Sequence, residues 1–162
     1  MSFVSRVTGS PRLLLGVAAA CLAAVGGALV AQYQFDMLPC PWCTLQRLIF
    51  LLLAAVCLLA ALVPPLRRLL AGLGVLLSAC GIGASLWLHF VASSSASCAL
   101  TMADRIMQAL GLYDLAPDIF APMASCADAA VDLLGIPFAM WSLALFALCG
   151  AACALALRTR RN

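Results

Sequence analysis

The sequence CPWCTLQRLIFLLLAAVCLLAALV, residues 40–63, places a Cys-x-x-Cys motif directly before an apolar run. Arg47 is the one charged residue between positions 45 and 63. An apolar segment of about 20 residues is long enough to cross a bilayer as a helix. The stretch therefore predicts a membrane-spanning helix with a pair of neighbouring thiols at its mouth.

Three further apolar segments have a similar length and composition. Together they predict an all-α membrane protein, a four-transmembrane-helix bundle with spans at residues 13–31, 45–63, 69–92 and 138–157. Hydrophobic residues make up 66% of the chain and charged residues 9%, so too few polar side chains remain to cover a soluble core. We expect one integral-membrane domain over residues 1–162, with outer loops at residues 32–44 and 93–137.

The first span follows a basic flank, as the apolar part of a signal peptide does. Its apolar run continues to Ala31, which is longer than a signal peptide needs, so we expect an uncleaved span. Small residues should also let neighbouring helices approach closely, and the candidates are Gly16, Ala20, Gly81 and Gly83.

The charged residues divide between the two sides of the predicted bundle. One side carries Arg6, Arg12, Arg67, Arg68, Arg158, Arg160 and Arg161. The other side carries all the acidic residues, which are Asp36, Asp104, Asp114, Asp118, Asp128 and Asp132, together with Arg47 and Arg105. Cytoplasmic loops are rich in arginine, so both termini are predicted to be cytoplasmic. The net charge of +3 is then a signal of topology and not of nucleic-acid binding.

The cysteines fall into two groups. Five lie within spans and are expected to pack as small apolar side chains: Cys21, Cys57, Cys80, Cys149 and Cys153. Four lie on the outer side, where an oxidising compartment favours two disulfides. They form a close pair, Cys40 and Cys43, and a widely spaced pair, Cys98 and Cys126. The widely spaced second pair is either a structural staple or a redox pair. In the second case the two pairs form a relay for electrons.

The start of the second span favours a reactive Cys43. Pro41 suits the first turn of a helix, and Cys43 then lies among backbone N–H groups whose partial positive charge favours a thiolate. Arg47 follows one turn later on the same face. Arg47 either extends to the lipid headgroups or acts in the site, and ionisable residues inside a membrane are most often functional.

His89 is expected near the outer end of the third span, at a depth similar to that of Arg47. A solvated interfacial histidine and a functional one explain it equally well. Trp42, Trp87 and Trp141 are typical of the aromatic belt at a membrane surface.

A short amphipathic helix is predicted in the long outer loop. Its apolar face contains Leu100, Ala103, Ile106, Met107 and Leu110, and Gly111 is a plausible stop. The same face suits a helix lying on the membrane or one packed against the bundle.

Two stretches resemble a known family. Residues 38–47, LPCPWCTLQR, and residues 137–143, PFAMWSL, are similar to the DsbB family, bacterial inner-membrane proteins that reoxidise the periplasmic thiol oxidase DsbA with quinone. The similarity extends over essentially the whole chain. It implies a multi-pass protein of the bacterial inner membrane, with a redox-active centre on the periplasmic side.

The resemblance also implies roles for the outer cysteines. Cys98 is expected to form a mixed disulfide with a DsbA-like partner. Cys126 is expected to exchange with Cys40, which links the two outer loops transiently. Cys43 is then expected to donate electrons to quinone.

The quinone site implied by the resemblance contains Cys43, Arg47 beside the ring, and His89 nearby. The family often has Glu where this chain has Gln46, so an acidic group is missing here. The expected acceptor is ubiquinone or menaquinone, with no metal, haem or flavin. The expected partners are the DsbA-like oxidase, the quinone pool and the bilayer, with no nucleic acid.

Three alternatives stay open at the level of sequence. A vitamin-K-epoxide-reductase-like enzyme also couples thiols to quinone, but its Cys-x-x-Cys motif lies late in the chain. A thiol oxidase dedicated to another partner has nearly the same residues. A zinc-binding structural membrane protein is disfavoured, because structural zinc sites usually contain two close pairs of cysteines.

Overall fold

Helices make up most of the structure, a computed structural model that describes residues 11–94, 101–130, 132–133 and 135–158. In chain order its elements are α1 (Pro11–Gln34), α2 (Pro41–Leu62), a 3-10 turn (Pro64–Leu66), α3 (Arg67–Phe90), a 3-10 turn (Ala92–Ser94), α4 (Met102–Ala109), α5 (Leu112–Leu115), α6 (Pro117–Phe120), β1 (Asp132–Leu133), β2 (Ile136–Pro137) and α7 (Phe138–Arg158). The four long helices are apolar and long enough to cross a membrane, which confirms the predicted bundle.

The helix α2 begins where the motif predicts. Cys40 is its N-cap residue in an extended conformation, and Pro41 occupies the first turn, where a missing N–H group has no cost. The helix ends before Pro64 and Pro65, which cannot continue its hydrogen bonds, and a 3-10 turn leads directly into α3. So short a connection makes α2 and α3 antiparallel neighbours, as their contacts show.

Small residues bring α3 and α7 together. A Cβ atom added at Gly81 would lie 2.5 Å from ring atoms of Phe146, and one at Gly74 would lie 2.9 Å from Cys153 Sγ. The expectation for Gly81 is thus confirmed. The expectation is wrong for Gly16 and Gly83, where an added Cβ atom meets nothing within 4 Å. These two glycines face away from the neighbouring helices, and composition alone does not reveal which face of an apolar helix is packed.

Aromatic rings and thiols fill the interior of the bundle. The Phe50 and Phe146 rings stack with centroids 3.9 Å apart and planes 4° apart. Two thiol pairs also meet between helices, with Cys21 Sγ 3.9 Å from Cys149 Sγ and Cys57 Sγ 3.8 Å from Cys153 Sγ. All four of these cysteines are buried, in agreement with their predicted packing as small apolar side chains. The expectation is wrong for the fifth, Cys80, which is exposed on α3 because it lies on a face of the helix that no other described helix covers.

The helix α4 lies against the bundle. A capping box fixes its start, because Thr101 and Asp104 each bond the other's backbone N–H, and Gly111 follows its end with φ 64°. Ala103 and Met107 are buried in the same core as α2, while Ile106 is exposed. Packing against the bundle therefore accounts for the buried part of the apolar face, and Leu100 lies outside the described residues.

We predict that Gly81→Ala destabilises the bundle by about 1–3 kcal/mol, since overpacking a filled interior costs that much. Phe146 is fully buried and stacked, so its ring has no free space to enter. Gly83→Ala is the matched control, because the same methyl group meets no neighbour there. Thermal unfolding in detergent should separate the two variants, and equal midpoints would contradict the packing.

Candidate functional site

Backbone hydrogen bonds join the segment before α2 to the segment between α3 and α7. The carbonyl oxygen of Pro39 accepts from the backbone N–H of Met123 at 2.9 Å and from that of Ala124 at 3.3 Å. Pro39 directly precedes Cys40, and Ala124 lies two residues before Cys126. The bonds therefore hold the segment that carries Cys126 against the start of α2.

Three of the predicted cysteines meet at this point. Cys40 is fully buried, and its Sγ lies 2.9 Å from Cys43 Sγ. It also accepts the backbone N–H of Cys43 at 3.4 Å, and it packs with Cys126 in one buried cluster. All three are free thiols in the structure, with Cys40 in contact with both of the others. The fourth, Cys98, lies outside the described residues.

The contact between Cys40 and Cys126 makes their two thiols unequal. Interaction with the Cys126 thiol, together with the hydrogen bond to Cys43 and burial, raises the pKa of Cys40. The same interaction with Cys40 lowers the pKa of Cys126, against the opposing effect of burial. Cys126 is therefore the one of these two that carries negative charge more readily, and the thiolate is the nucleophile in disulfide exchange.

Arg47 is buried and held by neutral oxygens. It is 6% exposed, and its Nη1 donates to Gln32 Oε1 at 2.7 Å and to the Ile119 carbonyl at 2.8 Å. Its Nη2 donates to the Ala28 carbonyl at 3.4 Å. These acceptors orient the guanidinium group without neutralising its charge, and they come from α1 and from the outer loop.

A large cavity opens between α1 and α7, with a volume of about 740 Å³. Most of its lining is apolar, and Cys43, Gln46 and Arg47 lie together on its wall. Trp141, which the sequence places in an aromatic belt, also lines it and is 43% exposed. Binding sites for small organic molecules are typically apolar cavities of about 300–1,000 Å³ with a few placed polar groups.

A second, small cavity contains His89. Its volume is about 40 Å³, and it is lined by His89, Cys43 and Cys126 among others. Arg47 does not line it, and His89 does not line the large cavity. The structure thus brings Cys43 and Arg47 to one cavity and places His89 in a different one, with Cys43 shared by both.

Three acceptors of Arg47 were not predicted from the sequence: Gln32 and the carbonyls of Ile119 and Ala28. Gln32 is a buried amide at the end of an apolar span, and this polarity is a signal that could have identified it. The backbone of Ile119 has no comparable signal. Among the residues that the structure describes, no group of three or more His, Cys, Asp or Glu is arranged to hold a metal ion.

The chain is similar to known proteins over most of its length. The sequence model for the family "Disulfide bond formation protein DsbB" matches residues 10–156. Disulfide bond formation protein B 1 of Pseudomonas entomophila is 33% identical over 89% of this chain and 88% of its own length. Proteins of the same name from Pseudomonas syringae pv. syringae and Pseudomonas aeruginosa are 36% and 34% identical, over 84% and 85% of this chain and 81% and 88% of their own lengths.

The contact between the loops predicts which disulfide forms when the competing cysteines, Cys43 and Cys98, are replaced. In a Cys43→Ser, Cys98→Ser double variant, mild oxidation with diamide should link Cys40 to Cys126, because both side chains pack in one buried cluster. Disulfide mapping by mass spectrometry measures the product. Adding Cys126→Ser is the control and should abolish this linkage, and a double variant that leaves Cys40 unlinked would contradict the described loop contact.

Proposed function

Since the chain belongs to the DsbB family of disulfide bond formation proteins, we propose that it reoxidises a periplasmic DsbA-like thiol oxidase and passes the electrons to membrane quinone. The family assigns it a role in disulfide oxidation, and the helices make it a multi-pass membrane protein. The main support for the electron path is that its thiols lie next to one another, from Cys126 to the large cavity. Cys126 touches Cys40, Cys40 touches Cys43, and Cys43 lines the large cavity beside Arg47.

The resting protein in this proposal has two disulfides, Cys40–Cys43 and Cys98–Cys126. A thiolate of the partner attacks Cys98 Sγ, so the Cys98–Cys126 bond breaks and Cys126 leaves as a thiolate. Cys126 then attacks Cys40 Sγ, which forms the Cys40–Cys126 bond and releases Cys43 as a thiolate with the electron pair. The contact of Cys126 with Cys40 and its lowered pKa support this order.

A second thiolate of the partner attacks the partner's own sulfur in the mixed disulfide, so the partner leaves oxidised and Cys98 becomes a thiolate. Cys98 then attacks Cys126, which re-forms the Cys98–Cys126 bond and releases Cys40 as a thiolate. Formation of a new Cys40–Cys43 bond passes two electrons to quinone, which takes up two protons.

Quinone supplies an acceptor for two electrons and two protons at a potential above that of the partner. DsbA has a reduction potential of about −120 mV, well above that of the glutathione pool, so oxidised glutathione cannot accept electrons from reduced DsbA. The large cavity suits a quinone ring by volume and apolar lining. Arg47 stabilises the Cys43 thiolate and the negative charge that develops on the quinone oxygen, and the apolar lining of the cavity strengthens this stabilisation.

The proposed topology puts both termini in the cytoplasm of the bacterial cell and the site at the periplasmic face of the inner membrane. The distribution of arginine supports this orientation. One integral-membrane domain is then sufficient for the whole path, from the partner's thiols to the lipid-soluble acceptor.

We predict that Cys98→Ala abolishes quinone reduction when reduced DsbA is the electron donor. The same variant should still reduce ubiquinone-1 when dithiothreitol is supplied, because Cys40 and Cys43 remain. Quinone absorbance measures both reactions with purified protein in detergent. Absence of quinone reduction by the wild type with either donor would refute the proposed function. Undiminished DsbA oxidation by the variant would mean that the pair of Cys98 and Cys126 has only a structural role.

Arg47→Ala should slow quinone reduction about 10²–10³-fold, the range seen when one electrostatic donor is removed from a catalytic site. Arg47→Lys should keep part of the activity, since it retains the charge and loses the planar fork. Arg105→Ala is the matched control, because Arg105 is exposed on α4. Rates measured against pH for all four proteins decide the point. A wild-type rate and pH profile in Arg47→Ala would contradict a catalytic role and would mean that Arg47 only extends to the lipid headgroups.

A further inference from the structure

Gln46 has a buried amide group that lacks a partner. The residue is 4% exposed, and within the described part of the chain its Nε2 has no hydrogen-bond partner. Leaving a buried donor unsatisfied typically costs about 1–3 kcal/mol. An apolar side chain of similar size would avoid that cost, so the position calls for an explanation.

The surroundings of Gln46 indicate where its partner comes from. The residue lines the large cavity between α1 and α7, three residues after Cys43 and directly before Arg47. Residues three and four apart lie on the same face of a helix, so Gln46 and Arg47 both lie on the face of α2 that carries Cys43. The guanidinium group of Arg47 already has three protein acceptors, whereas the amide of Gln46 has none. Nε2 itself has almost no exposed surface, so a ligand in the cavity can supply the missing acceptor once the side-chain amide rotates towards the cavity.

We propose that the Gln46 amide donates a hydrogen bond to a carbonyl oxygen of the quinone, and so positions the ring beside Cys43. This inference rests on the proposed function, since it assigns a contact to the same acceptor. The oxygen becomes more negative as electrons arrive from Cys43, so the bond strengthens during the reaction. An amide keeps this donor at every physiological pH, because it does not titrate.

Binding of ubiquinone-1 to the purified full-length protein in detergent tests this contact. Gln46→Leu should raise both the Kd and the KM for ubiquinone-1 about five- to tenfold, as expected for one lost neutral hydrogen bond. Gln108→Leu is the matched control, because Gln108 is exposed on α4, away from the cavity. It should bind ubiquinone-1 as the wild type does.

Gln46→Glu tests the contact through the pH dependence of ubiquinone-1 binding, which a purely structural role of Gln46 would not change. Its carboxylate cannot donate, so ubiquinone-1 should bind about five- to tenfold more weakly than to the wild type at neutral pH, as with Gln46→Leu. Binding should recover as pH falls and the protonated carboxyl group regains a donor. Among the residues lining the cavity, Cys43 and Arg47 are the other titratable groups. Both are also present in the wild type, whose pH profile is therefore the reference.

The outcomes separate this proposal from the one on which it rests. If the wild type reduces quinone and both Gln46 variants bind ubiquinone-1 with wild-type affinity at every pH, the Gln46 contact is wrong and the proposed function stands. If the wild type neither binds nor reduces quinone, both fail. If Gln46→Leu does not fold, recovery of binding by folded Gln46→Glu at low pH supports the contact, and its absence overturns it.

Discussion

A guanidinium group buried among apolar helices must be hydrogen-bonded, and this constraint organises the outer end of the molecule. Arg47 satisfies it with Gln32 and the Ala28 carbonyl of α1 and with the Ile119 carbonyl of the outer loop. One side chain thereby links α2, α1 and the loop. A buried charge without such partners is very costly, so the loop has to lie over the mouth of α2 in the folded protein.

The same loop position delivers Cys126 to Cys40. Met123 and Ala124 follow Ile119 closely and bond to the Pro39 carbonyl, so Arg47 and Pro39 fix the segment at two points. Cys40 is at once the N-cap of α2 and the contact between the other two thiols. A single residue therefore belongs to the helix start and to the exchange path, which couples the geometry of the path to the position of α2.

The bundle is tight on one side and open on the other. Glycines let α3 and α7 pack closely around the stacked rings of Phe50 and Phe146, while α1 and α7 diverge towards the outer end around the large cavity. Cys21 and Cys149 meet where those two helices come together. The close packing keeps α7 in place, so a cavity can persist beside it without collapse of the bundle.

The sequence by itself determined the class of fold, because four apolar runs of spanning length have few other stable structures. It also determined the start of α2 at the Cys-x-x-Cys motif, the short helix before Gly111 and the family, since these depend on local patterns. It did not determine which glycines are packed, as the wrong expectation for Gly16 and Gly83 shows. The tertiary structure alone decided that Gln32 and the Ile119 carbonyl hold Arg47, that Cys126 touches Cys40, and that His89 and Arg47 line different cavities. These are contacts between segments far apart in the chain, and their geometry depends on how helices pack and loops cross, which no local pattern of residues specifies.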